Sequence, residues 1–166
     1  MTKKPILLLD VDGVLNVVGP DWGERVVNLK DNLPGLHPTK YVLPFLRWAW
    51  PRFQVMWLTA WGADANKIAR WAGLEPVRVL ADPRRQTDDY KLAALVSEFG
   101  ARTPPVPVFW IEDGIGQKEM EFVDERPWMF YLATEPMEGV TPAHAKILSA
   151  LVQTIGPRHW SLRAAR

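Results

Sequence analysis

The sequence predicts an α/β fold, a Rossmann-like three-layer sandwich built on a five-stranded parallel sheet. Three observations lead there. Short apolar runs alternate with segments of helical pattern along all 166 residues. The first run, Ile6-Leu7-Leu8-Leu9, shows no polar alternation and reads as a strand buried on both faces. The conspicuous polar residues, Asp10, Asp12, Thr59, Glu112 and Asp113, fall at the carboxyl ends of such runs, where open parallel sheets bind ligands.

The elements follow in order. Residues 5–11 form the first strand. Residues 16–38 are rich in Gly, Pro, Asn and Asp and read as a loop or small flap. A helix over 39–50 ends at Pro51. Residues 53–58 form the second strand, with Thr59 at its end. Residues 64–71 are a helix stopped by Gly73. Residues 77–80 are a short third strand. Thr87 or Asp88 caps a helix that runs to Phe99, with Gly100 after it. Residues 106–111 form the fourth strand, ending at Glu112-Asp113-Gly114. A short helix over 116–124 and a fifth strand over 128–132 come next. Thr141-Pro142 opens a last helix to about Ile155. The organisation is one domain over 1–156 and a basic tail over 157–166.

Composition narrows the function classes. Hydrophobic residues make up 48% and charged residues 23%, so the chain can bury a sizeable core. The formal net charge of +1 gives no global attraction to nucleic acid or membrane. Without cysteine there are no disulfides, thiolate metal sites or cysteine nucleophiles, which fits a reducing compartment. The N-terminal apolar run is too short and too acidic for a secretory signal, and no stretch approaches the ~18 apolar residues of a membrane span. The expected location is cytoplasmic.

Asp10-Val11-Asp12-Gly13 carries the most chemistry. Strand side chains alternate faces, so carboxylates at i and i+2 project the same way. Two adjacent anions repel and are costly to bury without a cation. For hard oxygen ligands that cation is commonly Mg²⁺, partly hydrated and shared with a phosphate. Gly13 allows a sharp turn and a close backbone approach. The competing reading is a strand that ends in an Asp-rich turn.

The chain resembles the haloacid dehalogenase superfamily of phosphoryl-transfer enzymes. Four family motifs have counterparts in family order across roughly residues 5–132. They are Leu8-Leu9-Asp10-Val11-Asp12-Gly13-Val14, Met56-Trp57-Leu58-Thr59, Lys91 in Asp88-Asp89-Tyr90-Lys91, and Trp110-Ile111-Glu112-Asp113. One departure is Gln117, which stands where the family's fourth motif often carries a second Asp. Trp57-Leu58-Thr59-Ala60-Trp61 and the short layout also look similar to small domains fused into some bacterial RNA-repair proteins.

The resemblance implies a role for each residue. Asp10 attacks phosphorus and forms an aspartyl-phosphate. Asp12 protonates the leaving oxygen and then activates water. Mg²⁺ binds the Asp10 carboxylate, the backbone carbonyl of Asp12, and Asp113. Glu112 either ligates the metal, directly or through water, or orients Lys91. Thr59 holds phosphate oxygens through its hydroxyl and nearby backbone N–H, with Gly13 and Ala60 also among the substrate-binding residues. Lys91 offsets the charge of nucleophile and phosphate, with Arg84, Arg85 and Lys67 as competitors for that role.

Of nine tryptophans, Trp61 and Trp22 are placed to overhang the site, either stacking on a nucleotide or shielding the pocket by packing. Arg25 and Lys30 in the same flap meet phosphates or are solvated. His37, His144 and His159 lack metal-ligand spacing.

Many relatives of that superfamily insert a cap domain, and here residues 14–38 and 59–91 leave no room for one. An open site suits a large substrate. The expected activity is therefore an Mg²⁺-dependent phosphomonoesterase acting on a nucleotide or a nucleic-acid terminal phosphate. The alternatives are a small-metabolite or phosphoprotein phosphatase and a non-catalytic interaction module. A monomer and a homodimer are equally compatible with the sequence.

Overall fold

The computed structural model of the chain describes residues 3–17, 35–80 and 89–163, with side chains of the last helix described as far as residue 155. Strands β1 (Ile6–Leu9), β2 (Gln54–Trp57), β3 (Val108–Glu112) and β4 (Met129–Ala133) form one parallel sheet in the order β2-β1-β3-β4. The helices are α1 (Val42–Ala49), α2 (Ala65–Trp71), α3 (Tyr90–Phe99), α4 (Gln117–Asp124) and α5 (Pro142–Arg163). The expected α/β class and parallel sheet are present, in an arrangement compatible with a Rossmann-like fold.

β1 is apolar at every position because it is covered on both faces and paired on both edges. Alternation divides its side chains between two cores. Leu7 and Leu9 join Val55, Trp57, Phe109 and Ile111 beneath α1, α2 and α5. Ile6 and Leu8 join Met56, Val108 and Trp110 beneath α3 and α4. α1 shows the pattern that such packing selects, with Val42, Phe45, Leu46 and Ala49 all buried at helical spacing. α2 stops at Gly73, whose φ of 72° is the left-handed conformation expected of a glycine just past a helix end.

The topology fixes where a ligand can enter. From β1 the chain crosses to β2 on one side, then returns to β3 on the other. The order therefore switches at the β1–β3 pair, and the crevice lies beyond their carboxyl ends.

The third expected strand is reduced to one residue pair. Val79 bridges Trp57 in parallel, with Trp57 N–H donating to the Arg78 carbonyl at 2.9 Å and Leu80 N–H to the Trp57 carbonyl at 2.8 Å. The described sheet thus has four strands and not five. Asn66 explains the short ladder. Its amide accepts from Val77 N–H at 2.9 Å and donates to the Val77 carbonyl at 3.0 Å, which takes that residue's backbone out of strand pairing. The same Oδ1 accepts from the Trp57 indole at 2.9 Å.

Other boundaries moved as well, β1 ending at Leu9 and α1 starting at Val42. β3 starts at Val108, because Pro107 has no N–H to give a ladder. α5 continues to Arg163, past the Gly156 where the sequence suggested a stop. Trp22, Arg25, Lys30, Arg84, Arg85, Thr87 and Asp88 lie outside the described residues.

Asn66 closes three hydrogen bonds at once, so Asn66→Ala should lower unfolding free energy by about 1–3 kcal/mol, the cost of leaving such groups unpaired. Chemical denaturation measures this, and an unchanged midpoint would remove Asn66 as the anchor of the Val77 segment.

Candidate active site

Three elements deliver charge to the crevice. Asp10 directly follows β1, and its N–H continues the ladder to the Ile111 carbonyl at 3.2 Å. Glu112 ends β3, and Asp113 follows it. Carboxylate oxygens of Asp10, Glu112 and Asp113 all lie within 4.8 Å of one another. Asp10 is 5% exposed and Glu112 1%. Lys91, in the first turn of α3, reaches into the group. Its Nζ donates to Asp10 Oδ2 at 2.9 Å and makes a close ion pair with Glu112 Oε2.

The electrostatics follow from burial. Loss of water and the Asp10 carboxylate beside it push Glu112 well above the usual carboxylate range, and Lys91 opposes this without cancelling it. Burial alone would push Lys91 down, but the carboxylates of Asp10 and Glu112 outweigh it and hold the ammonium above its ordinary value. Glu112 therefore does contact Lys91, one of the roles left open for it. Three acids share this space with one ammonium, so oxygen ligands are in excess over the cation. Hard oxygen donors in such excess suit a divalent metal ion.

Gly13 shapes the turn between Asp10 and the rest of the loop. It is buried with φ 70°, and a Cβ there would collide with the Asp113 carboxylate. Only glycine satisfies both conditions. The loop is tied from outside as well. Thr134 Oγ1 donates to the Gly13 carbonyl at 2.9 Å, and Val140 N–H donates to the Val14 carbonyl at 2.8 Å.

Asp12 is not brought into the cluster formed by Asp10, Glu112 and Asp113. It lies in the turn beyond β1, is exposed, and its carboxylate is outside the acidic group. The cause is that β1 ends at Leu9, so strand alternation no longer governs position 12. Asn16 Nδ2 donates to Asp12 Oδ1 at 2.7 Å, and the Trp61 indole donates to Asp12 Oδ2 at 2.9 Å.

Comparison with protein-family models, with curated proteins and with solved structures finds no match to this chain. The case for function therefore rests on the geometry of the site.

The remaining sequence-predicted residues divide clearly. Thr59 follows β2 by two residues, is fully buried, and its hydroxyl accepts the Trp61 N–H at 3.3 Å. Ala60 is exposed beside it. Trp61 is half-buried and packs against the larger core. Lys67, a competitor for the role of Lys91, pairs instead with Asp64 at 2.8 Å on the surface. Gln117 starts α4 and bonds Glu121 at 2.9 Å, so it adds nothing to the acidic group. His144 engages Thr141 and the Ala133 carbonyl. Asn16 and Thr134 went unnoticed in the sequence. Asn16 could have been suspected from its place four residues past Asp12 in a turn, whereas Thr134 carries no local signal.

Two stability measurements test this geometry. Lys91→Ala leaves Asp10 and Glu112 without their cation and should cost about 3–5 kcal/mol, as for other broken buried pairs. Lys118→Ala, which breaks only an exposed pair with Asp89, should be much milder. Gly73→Ala meets open space at positive φ and should cost about 1–2 kcal/mol. Gly13→Ala should cost more than Gly73→Ala by thermal melting, and equal losses would remove the Asp113 contact as a constraint.

Proposed function

We propose that this chain is an Mg²⁺-dependent phosphomonoester hydrolase that works through an aspartyl-phosphate on Asp10. One observation carries the reading. A buried carboxylate at the end of the central strand shares a lysine and two further acids at the switch point of a parallel sheet.

Asp10, Asp113 and Glu112, with the Asp12 backbone carbonyl, would hold the metal. When bound, Mg²⁺ supplies positive charge between the Asp10 carboxylate and the phosphate dianion. The chain's own groups do the rest. An Asp10 oxygen attacks phosphorus, and the ester P–O bond breaks. Protonated Asp12 gives its proton to the leaving oxygen. Asp12 then takes a proton from water as that water attacks the phosphorus, which frees inorganic phosphate and restores the Asp10 carboxylate. Lys91 offsets charge on Asp10 and on the phosphate oxygens. Gly13, Thr59 and Ala60 line the expected phosphate position, and Thr59, being fully buried, is the most firmly fixed of them.

The substrate in this reading is a nucleotide or a nucleic-acid terminal phosphate. Among the described residues between Thr59 and Lys91 there are a 3₁₀ turn (Gly62–Asp64), α2, the Val79 bridge and the start of α3. Residues 81–88 are too few to build a cap domain. Without a cap inserted between Thr59 and Lys91, the crevice would admit a bulky phosphorylated chain end. Asp12 favours catalysis over a purely binding role, because an exposed second carboxylate held by two donors repels phosphate unless it carries a proton to transfer.

Phosphate release is to be measured with and without Mg²⁺, for wild type and Asp10→Asn. The substrates are p-nitrophenyl phosphate, mononucleotides and 5′- or 3′-phosphorylated oligonucleotides. Release should require both Mg²⁺ and Asp10, with the oligonucleotides or mononucleotides ranked first. Full activity in Asp10→Asn would refute the mechanism. Mg²⁺ should also raise the melting temperature of the wild type, and that gain should shrink in Asp113→Asn.

A further inference from the structure

We infer that Trp61 is a positioning residue for Asp12, and that its indole N–H, not its ring face, is what the site uses. The inference rests on the phosphatase reading above. Asp12 is exposed, and an exposed aspartate left to itself samples several rotamers. Here each carboxylate oxygen receives one donor, from Asn16 at 2.7 Å and from Trp61 at 2.9 Å. Both donors are neutral. They fix the carboxylate plane without neutralising it, in contrast to Asp10, which is held by an ammonium.

Each donor is itself held. Asn16 is buried, and its Oδ1 accepts His37 N–H at 2.7 Å, so its amide nitrogen is the end that faces Asp12. Trp61 packs its ring against the larger core, and its backbone N–H donates to the Thr59 hydroxyl at 3.3 Å. One residue thus links the end of β2 to the proposed acid. An indole N–H can only donate. It orients Asp12 without competing for the proton, and the lone pairs it leaves open serve the leaving oxygen and then water. This use of the indole differs from stacking on a nucleotide base, which needs a free ring face.

The two roles separate by leaving group. An alkyl phosphate expels an alkoxide that must be protonated, whereas p-nitrophenyl phosphate expels a stabilised phenolate that does not. The value of kcat/KM reports the first irreversible step, formation of the aspartyl-phosphate. Trp61→Phe keeps the packed ring and removes the donor. It should lower the ratio of kcat/KM for glycerol phosphate to that for p-nitrophenyl phosphate about ten- to hundredfold, a large part of what a placed general acid contributes. Asp12→Asn should lower the same ratio, and adding Trp61→Phe to it should change the ratio no further. Melting curves confirm that each variant is folded.

A ratio untouched in folded Trp61→Phe, with turnover that still dies in Asp10→Asn, would overturn this inference alone. So would a loss confined to the KM of mononucleotides, which marks stacking, or an equal loss on both esters, which marks packing. No turnover by the wild type on any phosphate ester would overturn the phosphatase reading and this inference together.

Discussion

Everything at the carboxyl end of this sheet depends on one ammonium group. Asp10 and Glu112 are almost fully withdrawn from water, and two buried carboxylates so close would expel one another or take up protons. Lys91 makes their proximity tolerable. It arrives from the first turn of α3, and it is held by both acids at once. The position of α3 over the sheet is therefore an electrostatic requirement as much as a hydrophobic one, although Leu95 and Phe99 supply the apolar contact.

The loop after β1 shows the complementary problem of space. The Asp113 side chain occupies the space that a Cβ at position 13 would need, so the loop after β1 can lie beside the end of β3 only with glycine there. Thr134 and Val140, from the segment after β4, hold that loop from behind. Residues far apart in the sequence thus share one task, keeping a turn of positive φ against a neighbouring strand. Asp12 is the exception, placed outside the crowded region and oriented by neutral donors.

Much of this was readable in the sequence, for identifiable reasons. A buried parallel strand must be apolar at every position, so Ile6–Leu9 announced itself. Strand ends collect ligand-facing groups, so Asp10, Glu112 and Asp113 stand out, whereas Lys91 is singled out only by the family resemblance, with Arg84, Arg85 and Lys67 as competitors. What failed was local geometry set by side chains at a distance. Position 12 lies beyond the end of β1, where strand alternation no longer sets a side chain's direction. Residues 77–80 have a strand's composition but lose their ladder to Asn66, which nothing in a β pattern reveals. The ring of Trp61 packs against the core, one of its two expected roles, while the bond from its indole to a carboxylate forty-nine positions earlier has no local signal.

The Asn66 arrangement has a consequence for life in a crowded solution. A parallel sheet ends in a row of backbone groups that can recruit a strand from another molecule, the usual start of sheet-to-sheet aggregation. Beyond β2 that row is cut short. Arg78 and Leu80 point their pairing groups inward at Trp57, and those of Val77 are already taken by the Asn66 amide. An approaching strand finds, among the described residues, a ladder one residue wide at Val79. A single asparagine on a helix thus keeps the Val77 backbone from serving as a template at this border.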